Sequence, residues 1–338
     1  MSASASAIPV IDPFAITGDE AMPSLAAALE PAEAQRRLSG VLGTSTLREI
    51  RVTRYKPERR CVIEYDVEME RHGPPETLTL IGKVRRLRSG KSGYRLLEAF
   101  RDAGFGSDAG DGIMVPEPIG VVREFRMWLQ RKIPGQVATD LLERPGGEDL
   151  VRRIAEAAHK VHQAGVPAKR SHTMSDELRI LHERLPEVAR ARPEWAGRIE
   201  RLLAACGRLG AATPESEPRG IHRDFYADQI LANGDSLYLL DFDLYCAGDP
   251  ALDVGNFLGH IREQSLRTTG DPDSLAHLET AMEDRFVELS GEEHRAAIHS
   301  YTTLTLARHV QLSTLFPERR AFTEAMLELC EERLGARC

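Results

Sequence analysis

The apolar residues of this 338-residue chain change their period once along its length. Between residues 45 and 133 they alternate with polar residues, the period of a strand with one buried face. Beyond about residue 134 they recur every three to four positions, the period of a helix. One element cannot carry both patterns, so the chain must divide into a sheet-bearing part and a helical part. Its length agrees, being too great for one ordinary core.

The sheet-bearing part reads in sequence as the strands "LREIRVTRYKP" and "CVIEYDVEME" about the turn "KPERR", with "RHGPPE" closing the second. "TLTLIGKVRRL" is a third strand, "KSGYRLLEAFRDAG" a helix stopped by glycine, and "GIMVPEPIGVVREFRMWLQRKIPG" two further strands and a turn. A short helix is expected over 31–42. The helical part follows with "GEDLVRRIAEAAHKVHQAG", "SDELRILHERLPEVARA", "PEWAGRIERLLAAC" and "EEHRAAIHSYTTLTLARHVQL". The expected fold class is α+β. Residues 1–20 read as a flexible tail and 21–133 as an N-lobe with a five-stranded antiparallel sheet and one helix. Residues 134–338 read as a mostly helical C-lobe.

One hairpin interrupts the helical part. "IHRDFYADQILANGDSLYLLDFD", residues 221–243, carries five aspartates, a residue type that strands disfavour. "NGD" at 233–235 is a strong turn signal, and pairing Leu231 with Leu237 sets the expected register. The open end of such a hairpin gathers His222, Asp224 and Asp228 against Asp241. Carboxylates crowded in this way repel one another unless a cation lies between them, which points to a magnesium site. An N-lobe lysine to neutralise phosphates is available at Lys83 on the third strand, and Glu98 on the next helix is its candidate ion-pair partner.

Composition excludes several other classes. A net charge of −8 leaves no basic face for a nucleic acid. No stretch approaches the ~20 apolar residues of a membrane helix. The N-terminus has neither the basic region nor the apolar core of a secretory signal, so the expected location is cytoplasmic. Five scattered cysteines without CxxC spacing argue against a disulfide framework or a zinc site.

Three motifs then occur in order. His222-Arg223-Asp224 is followed five residues later by Gln229, Asp241-Phe242-Asp243 stands at the strand end, and "GDPALD" spans 248–253. Together they resemble the aminoglycoside phosphotransferase and choline kinase family, which has a protein-kinase-like two-lobed fold. "WLQRKIPG" is similar to that family's interlobe hinge. The resemblance implies a nucleotide-binding N-lobe and a C-lobe that carries catalysis and the acceptor. It makes Asp224 the catalytic carboxylate, Gln229 and Asp241 ligands of Mg²⁺ with Asp243 beside them, and Lys83 a phosphate contact. His222 and Asp253 support the catalytic loop. Trp128 and Gln130 near the hinge are candidates to border the base. The co-substrate is ATP, with GTP as the alternative. The acceptor is a hydroxyl on a small molecule: an aminoglycoside, an amino alcohol or a sugar.

Two departures qualify that picture. Gln229 replaces the family's asparagine and moves the amide by roughly 1.5 Å, one C–C bond. A nucleotide-binding pseudokinase, acting as sensor or scaffold, is therefore the second reading, and a non-nucleotide acidic metal protein the third. The turn "KPERR" has no glycine, so Arg59 or Arg60 is the candidate phosphate contact there. Residues 251–338 hold 15 acidic and nine basic residues, an excess that favours a cationic acceptor. The sequence leaves the oligomeric state open.

Overall fold

The computed structural model describes residues 7–69, 76–86 and 91–336. They form two compact units, Met1–Pro134 and Gly135–Cys338. The calls on "RHGPPE" and on Cys338 fall at least partly outside the described residues.

The first unit is built on β1 (Val10–Ile11), β2 (Ser45–Lys56), β3 (Arg60–Met69), β4 (Glu76–Arg85), β6 (Pro118–Val122) and β7 (Met127–Arg131). These lie side by side in the order β1-β2-β3-β4-β7-β6, while β5 (Ile113–Met114) is not part of this sheet. The sheet thus has six strands rather than five, and β1 pairs with β2 in parallel. The described part of the expected tail, residues 7–20, is tied to the sheet. Asp19 accepts hydrogen bonds from the Tyr55 hydroxyl (2.8 Å) and from the backbone N–H of Glu58 (2.9 Å), and Ile16 is buried. A two-residue strand and a lone aspartate carry no periodicity, which is why the sequence read them as tail. Helices α1 (Ser24–Leu29) and α2 (Pro31–Leu42) contribute Leu25, Ala28 and Leu38 to a core shared with Ile50, Ile63, Tyr65, Leu80 and Leu129 of the strands. Helix α2 is the short helix expected over 31–42, and α1 just before it is an addition to the expected elements. Helix α3 (Lys91–Phe100) ends four residues early, because Ala103 and Gly104 leave helical geometry.

The second unit contains α4 (Gly147–Gln163), α5 (Met174–Ala191), α6 (Ala196–Ala212), α7 (Pro250–Thr269), α8 (Ala276–Ser290), α9 (His294–Leu315) and α10 (Thr323–Arg333). Local chemistry sets the starts of two of them. Thr173 and Asp176 form a capping box on α5, and Asp249 caps α7 ahead of Pro250. Helix α7 is buried along most of its length and packs closely on α9 through Gly255 and Gly259. A Cβ on Gly255 would come within 2.6 Å of Tyr301 Cβ, and one on Gly259 within 2.6 Å of Thr305 Cγ2. That approach seats the first turns of α7 beneath the expected catalytic loop.

Among the helices, β8 (Gln136–Val137), β10 (Ile230–Asn233) and β11 (Ser236–Leu239) pair antiparallel, as do β9 (Arg219–Ile221) and β12 (Cys246–Gly248). The hairpin register differs from expectation by one residue: Leu231 faces Tyr238, and Ala232 faces Leu237. Asn233 is itself paired with Ser236, which leaves a two-residue loop of Gly234 and Asp235. A loop that short needs positive φ at its first residue, and Gly234 supplies it at 57°.

Candidate active site

The segment between β9 and β10, residues 222–229, is held from below by one carboxylate. Asp253, fully buried in the first turn of α7, accepts hydrogen bonds from the backbone N–H of His222 (2.8 Å) and of Arg223 (2.6 Å). His162 Nε2 on α4 donates to the same carboxylate at 2.9 Å. Asn256, one turn further along α7, donates to the carbonyl of Phe225 at 2.9 Å. A buried carboxylate without such partners would be costly, and three donors satisfy it here. Arg223 takes φ of +70°, rare for a side chain of its size, and the two peptide bonds to Asp253 hold that conformation. Asp224 lies between these anchors, half-buried.

The strand end is clamped to the same loop. The N–H of Leu240 donates to the Gln229 carbonyl at 2.8 Å, and its carbonyl accepts from His222 Nε2 at 2.7 Å. Residue 240 is thus bound to both ends of the loop, and Asp241 follows it directly. Asp241 is itself left-handed (φ 54°, ψ 59°), a conformation that aspartate tolerates better than most residues. Oδ1 of Asp241 and Oδ2 of Asp243 are shielded from solvent. Carboxylate and amide oxygens, that of Gln229 included, are hard donors, the chemistry that suits Mg²⁺; among the described residues no three His, Cys, Asp or Glu side chains are grouped as a metal site. Asp228 is exposed and accepts from the Thr139 hydroxyl, as a turn residue would.

A polar layer under the loop was not read from the sequence. Arg308 on α9 donates to Asn256 Oδ1 and stands 3.3 Å from Glu177, which lies 2.6 Å from His172 Nε2. Burial opposes ionisation of Glu177, but the His172 hydrogen bond and the Arg308 charge outweigh it and hold its pKa below 4.5. A carboxyl depressed in the folded state lends stability above its unfolded pKa and loses it as pH falls through the folded value. Glu177→Gln is therefore expected to lower stability at pH 7 by about 1–3 kcal/mol, the cost of leaving buried polar partners unmatched. The gap to the unmutated protein should close as pH drops below about 4.5, measured by urea melts at stepped pH. A gap that stays constant down to pH 3 would contradict this assignment.

In the first unit, Lys83 on β4 faces Trp128 across the ladder, its ammonium 5.1 Å from the ring centre. Trp128 is 7% exposed and lies against α3, where a Cβ on Gly93 would come within 2.7 Å of the indole nitrogen. It packs between the Lys83 ammonium and Gly93 of that helix, as a buried aromatic commonly does. Gln130 is buried on the same strand. Glu98 on α3 accepts from the Tyr94 hydroxyl. The β2–β3 turn gathers Arg59 and Arg60 with Lys56, which the sequence reading passed over. Arg60 beside it, then partial burial, Arg59 and Arg54, hold the Lys56 ammonium below its usual pKa. Glu58 takes the left-handed conformation (φ 57°) that a glycine would otherwise supply there.

A family model described as "Phosphotransferase enzyme family" matches residues 91–287, more than half of the chain. The chain belongs to this family. It is a small-molecule phosphotransferase, and solved structures share its fold. A spectinomycin phosphotransferase, solved with ADP and spectinomycin, is 11% identical over 90% of this chain and 97% of its own, at a TM-score of 0.57. An aminoglycoside phosphotransferase in a ternary complex with AMP-PNP and hygromycin B is 15% identical over 90% and 98%, at 0.58. A choline/ethanolamine kinase family protein from Mesorhizobium loti is 16% identical over 93% and 97%, at 0.53. No curated protein matches the chain. Among the described residues of this phosphotransferase, no helix is long and apolar enough to cross a membrane.

The acidic excess of residues 251–338 carries less weight than its count. Glu263, Asp273, Glu279, Glu283, Asp284, Glu288, Glu292, Glu324 and Glu331 are all ion-paired to arginine. Nine of the 15 are thus engaged within the unit, and the count by itself does not select a cationic acceptor.

Proposed function

We propose that this phosphotransferase moves the γ-phosphate of ATP directly to a hydroxyl of a small polar molecule such as an aminocyclitol, an amino alcohol or a sugar. The observation that carries the reading is the double clamp on Leu240, which ties the Asp224 loop to the strand end bearing Asp241 and Asp243. In this reading the carboxylate of Asp224 orients the acceptor hydroxyl and receives its proton. The acceptor oxygen bonds to the γ-phosphorus as the bond to the bridging oxygen of ADP breaks, without a phospho-enzyme. Gln229, Asp241 and Asp243 would hold Mg²⁺, which when bound offsets the charge of the triphosphate. His222 and Asp253 hold the loop in place. Lys83, with Glu98 as its candidate ion-pair partner, and the cationic turn of Lys56, Arg59 and Arg60 supply positive charge for the phosphates.

The solved relatives hold an adenine nucleotide with spectinomycin or with hygromycin B, which supports both the co-substrate and the acceptor class. The test is incubation with ATP or GTP and Mg²⁺ across a panel of aminocyclitols, amino alcohols and sugars, with phosphorylated product read by mass spectrometry. Product from at least one hydroxyl compound, faster with ATP than with GTP, is expected. Tight nucleotide binding with no product on any acceptor would instead make the protein a pseudokinase.

A further inference from the structure

The glutamine at 229 is tied to a residue three positions earlier. Its backbone N–H donates to the Tyr226 carbonyl at 2.9 Å, closing a 3-10 turn over 227–229. Its side-chain Nε2 donates to the Tyr226 hydroxyl at 3.3 Å. Tyr226 itself caps the turn in extended conformation (φ −155°, ψ 171°), and the two side chains meet there. The Tyr226 ring is seated in turn. It stacks on His260 of α7 with ring centres 4.3 Å apart and planes 18° from parallel. His260 abuts His309 of α9, nitrogen to nitrogen at 3.4 Å. Burial, and then His309, hold His260 well below its usual pKa, and burial takes His309 to about 3. The tyrosine thus rests on a neutral, helix-borne platform.

An amide has one donor end and one acceptor end. With Nε2 engaged by the hydroxyl, Oε1 is the end left for a cation. An asparagine here would sit roughly 1.5 Å further back, one C–C bond, and would lose the tyrosine. We propose that Tyr226 is the positioning residue for Gln229: its hydroxyl fixes which end of the amide faces the metal, so that glutamine does here what asparagine does in related chains. The inference rests on the reading of Gln229 as a metal-holding residue, and it concerns the chain's own side chains.

The test is calorimetric titration of AMP-PNP, with MgCl₂ and separately with EDTA. It compares the unmutated protein with Tyr226→Phe, Gln229→Asn and the double variant. Phenylalanine keeps the stack on His260 and removes only the hydroxyl. Tyr226→Phe should weaken Mg²⁺-dependent nucleotide affinity by about three- to tenfold, the worth of one hydrogen bond. Affinity in EDTA should be unchanged, and the same substitution should cost less than about twofold on the Gln229→Asn background. Equal losses on both backgrounds, a loss that persists in EDTA, or no loss from Tyr226→Phe would each overturn the proposal. Should the unmutated protein bind AMP-PNP equally with and without Mg²⁺, the metal reading itself fails and the positioning role falls with it. That result is recognised before any variant is compared.

Discussion

Asp224→Asn is expected to lower the rate of phosphoryl transfer by about 10²- to 10⁴-fold, the range that a positioned general base contributes. Affinity for Mg²⁺-nucleotide should stay within about twofold, because in the proposed reaction the carboxylate acts on the acceptor hydroxyl. A fall of that size corresponds to about 3–5 kcal/mol of barrier. The substitution can be read cleanly because the backbone around residue 224 is anchored by other groups. Asp253 holds the N–H groups of residues 222 and 223, and Asn256 holds the carbonyl of 225. Asparagine has the same shape, so the loop has no reason to move. Single-turnover transfer and nucleotide titration measured on the same protein decide the matter. A drop in nucleotide affinity matching the drop in rate would place Asp224 on the nucleotide instead.

Asp241→Ala is expected to do the reverse at the first step. The Mg²⁺ concentration that half-saturates nucleotide binding should rise by about 100-fold or more, since loss of even an outer-shell partner costs about 10- to 100-fold. Nucleotide binding in EDTA should change little. Alanine tolerates the left-handed backbone at 241 less well than aspartate, so Asp241→Asn serves as the companion variant. Asparagine keeps that backbone and removes only the charge, and it should lose most of the metal dependence while melting near the unmutated temperature. If Asp224→Asn and Asp241→Asn reduced transfer and metal-dependent binding in equal proportion, the division of labour between the two carboxylates would be wrong.

The candidate-site residues read from the sequence share one property: they lie close together along the chain. His222, Asp224, Gln229, Asp241, Asp243 and Asp253 fall within 32 residues, and a hairpin signal lies at their centre. A short loop can be reasoned about without knowing the rest of the fold. The hairpin itself was placed one residue out, because both Leu237 and Tyr238 satisfy the alternation and only the loop geometry at Gly234 chooses between them. Trp128 is the converse case, a residue whose surroundings come from elsewhere in the chain. An aromatic near a hinge has no sequence mark that distinguishes an open ring from one covered by Gly93 of a helix.

Period and turn chemistry along the chain were enough to divide it into a sheet-bearing and a helical part, and to set the 222–229 loop against the strand end at 240. Those features depend on neighbours a few positions apart. Tertiary structure alone decided the sixth strand, the Asp19 tether, the Glu177–Arg308 pair spanning 131 residues, and the seating of Tyr226 on His260. In each of these a polar or aromatic group finds its partner across the fold. Such pairings are selected by the cost of leaving buried groups unsatisfied, which exists only once the chain has closed around them.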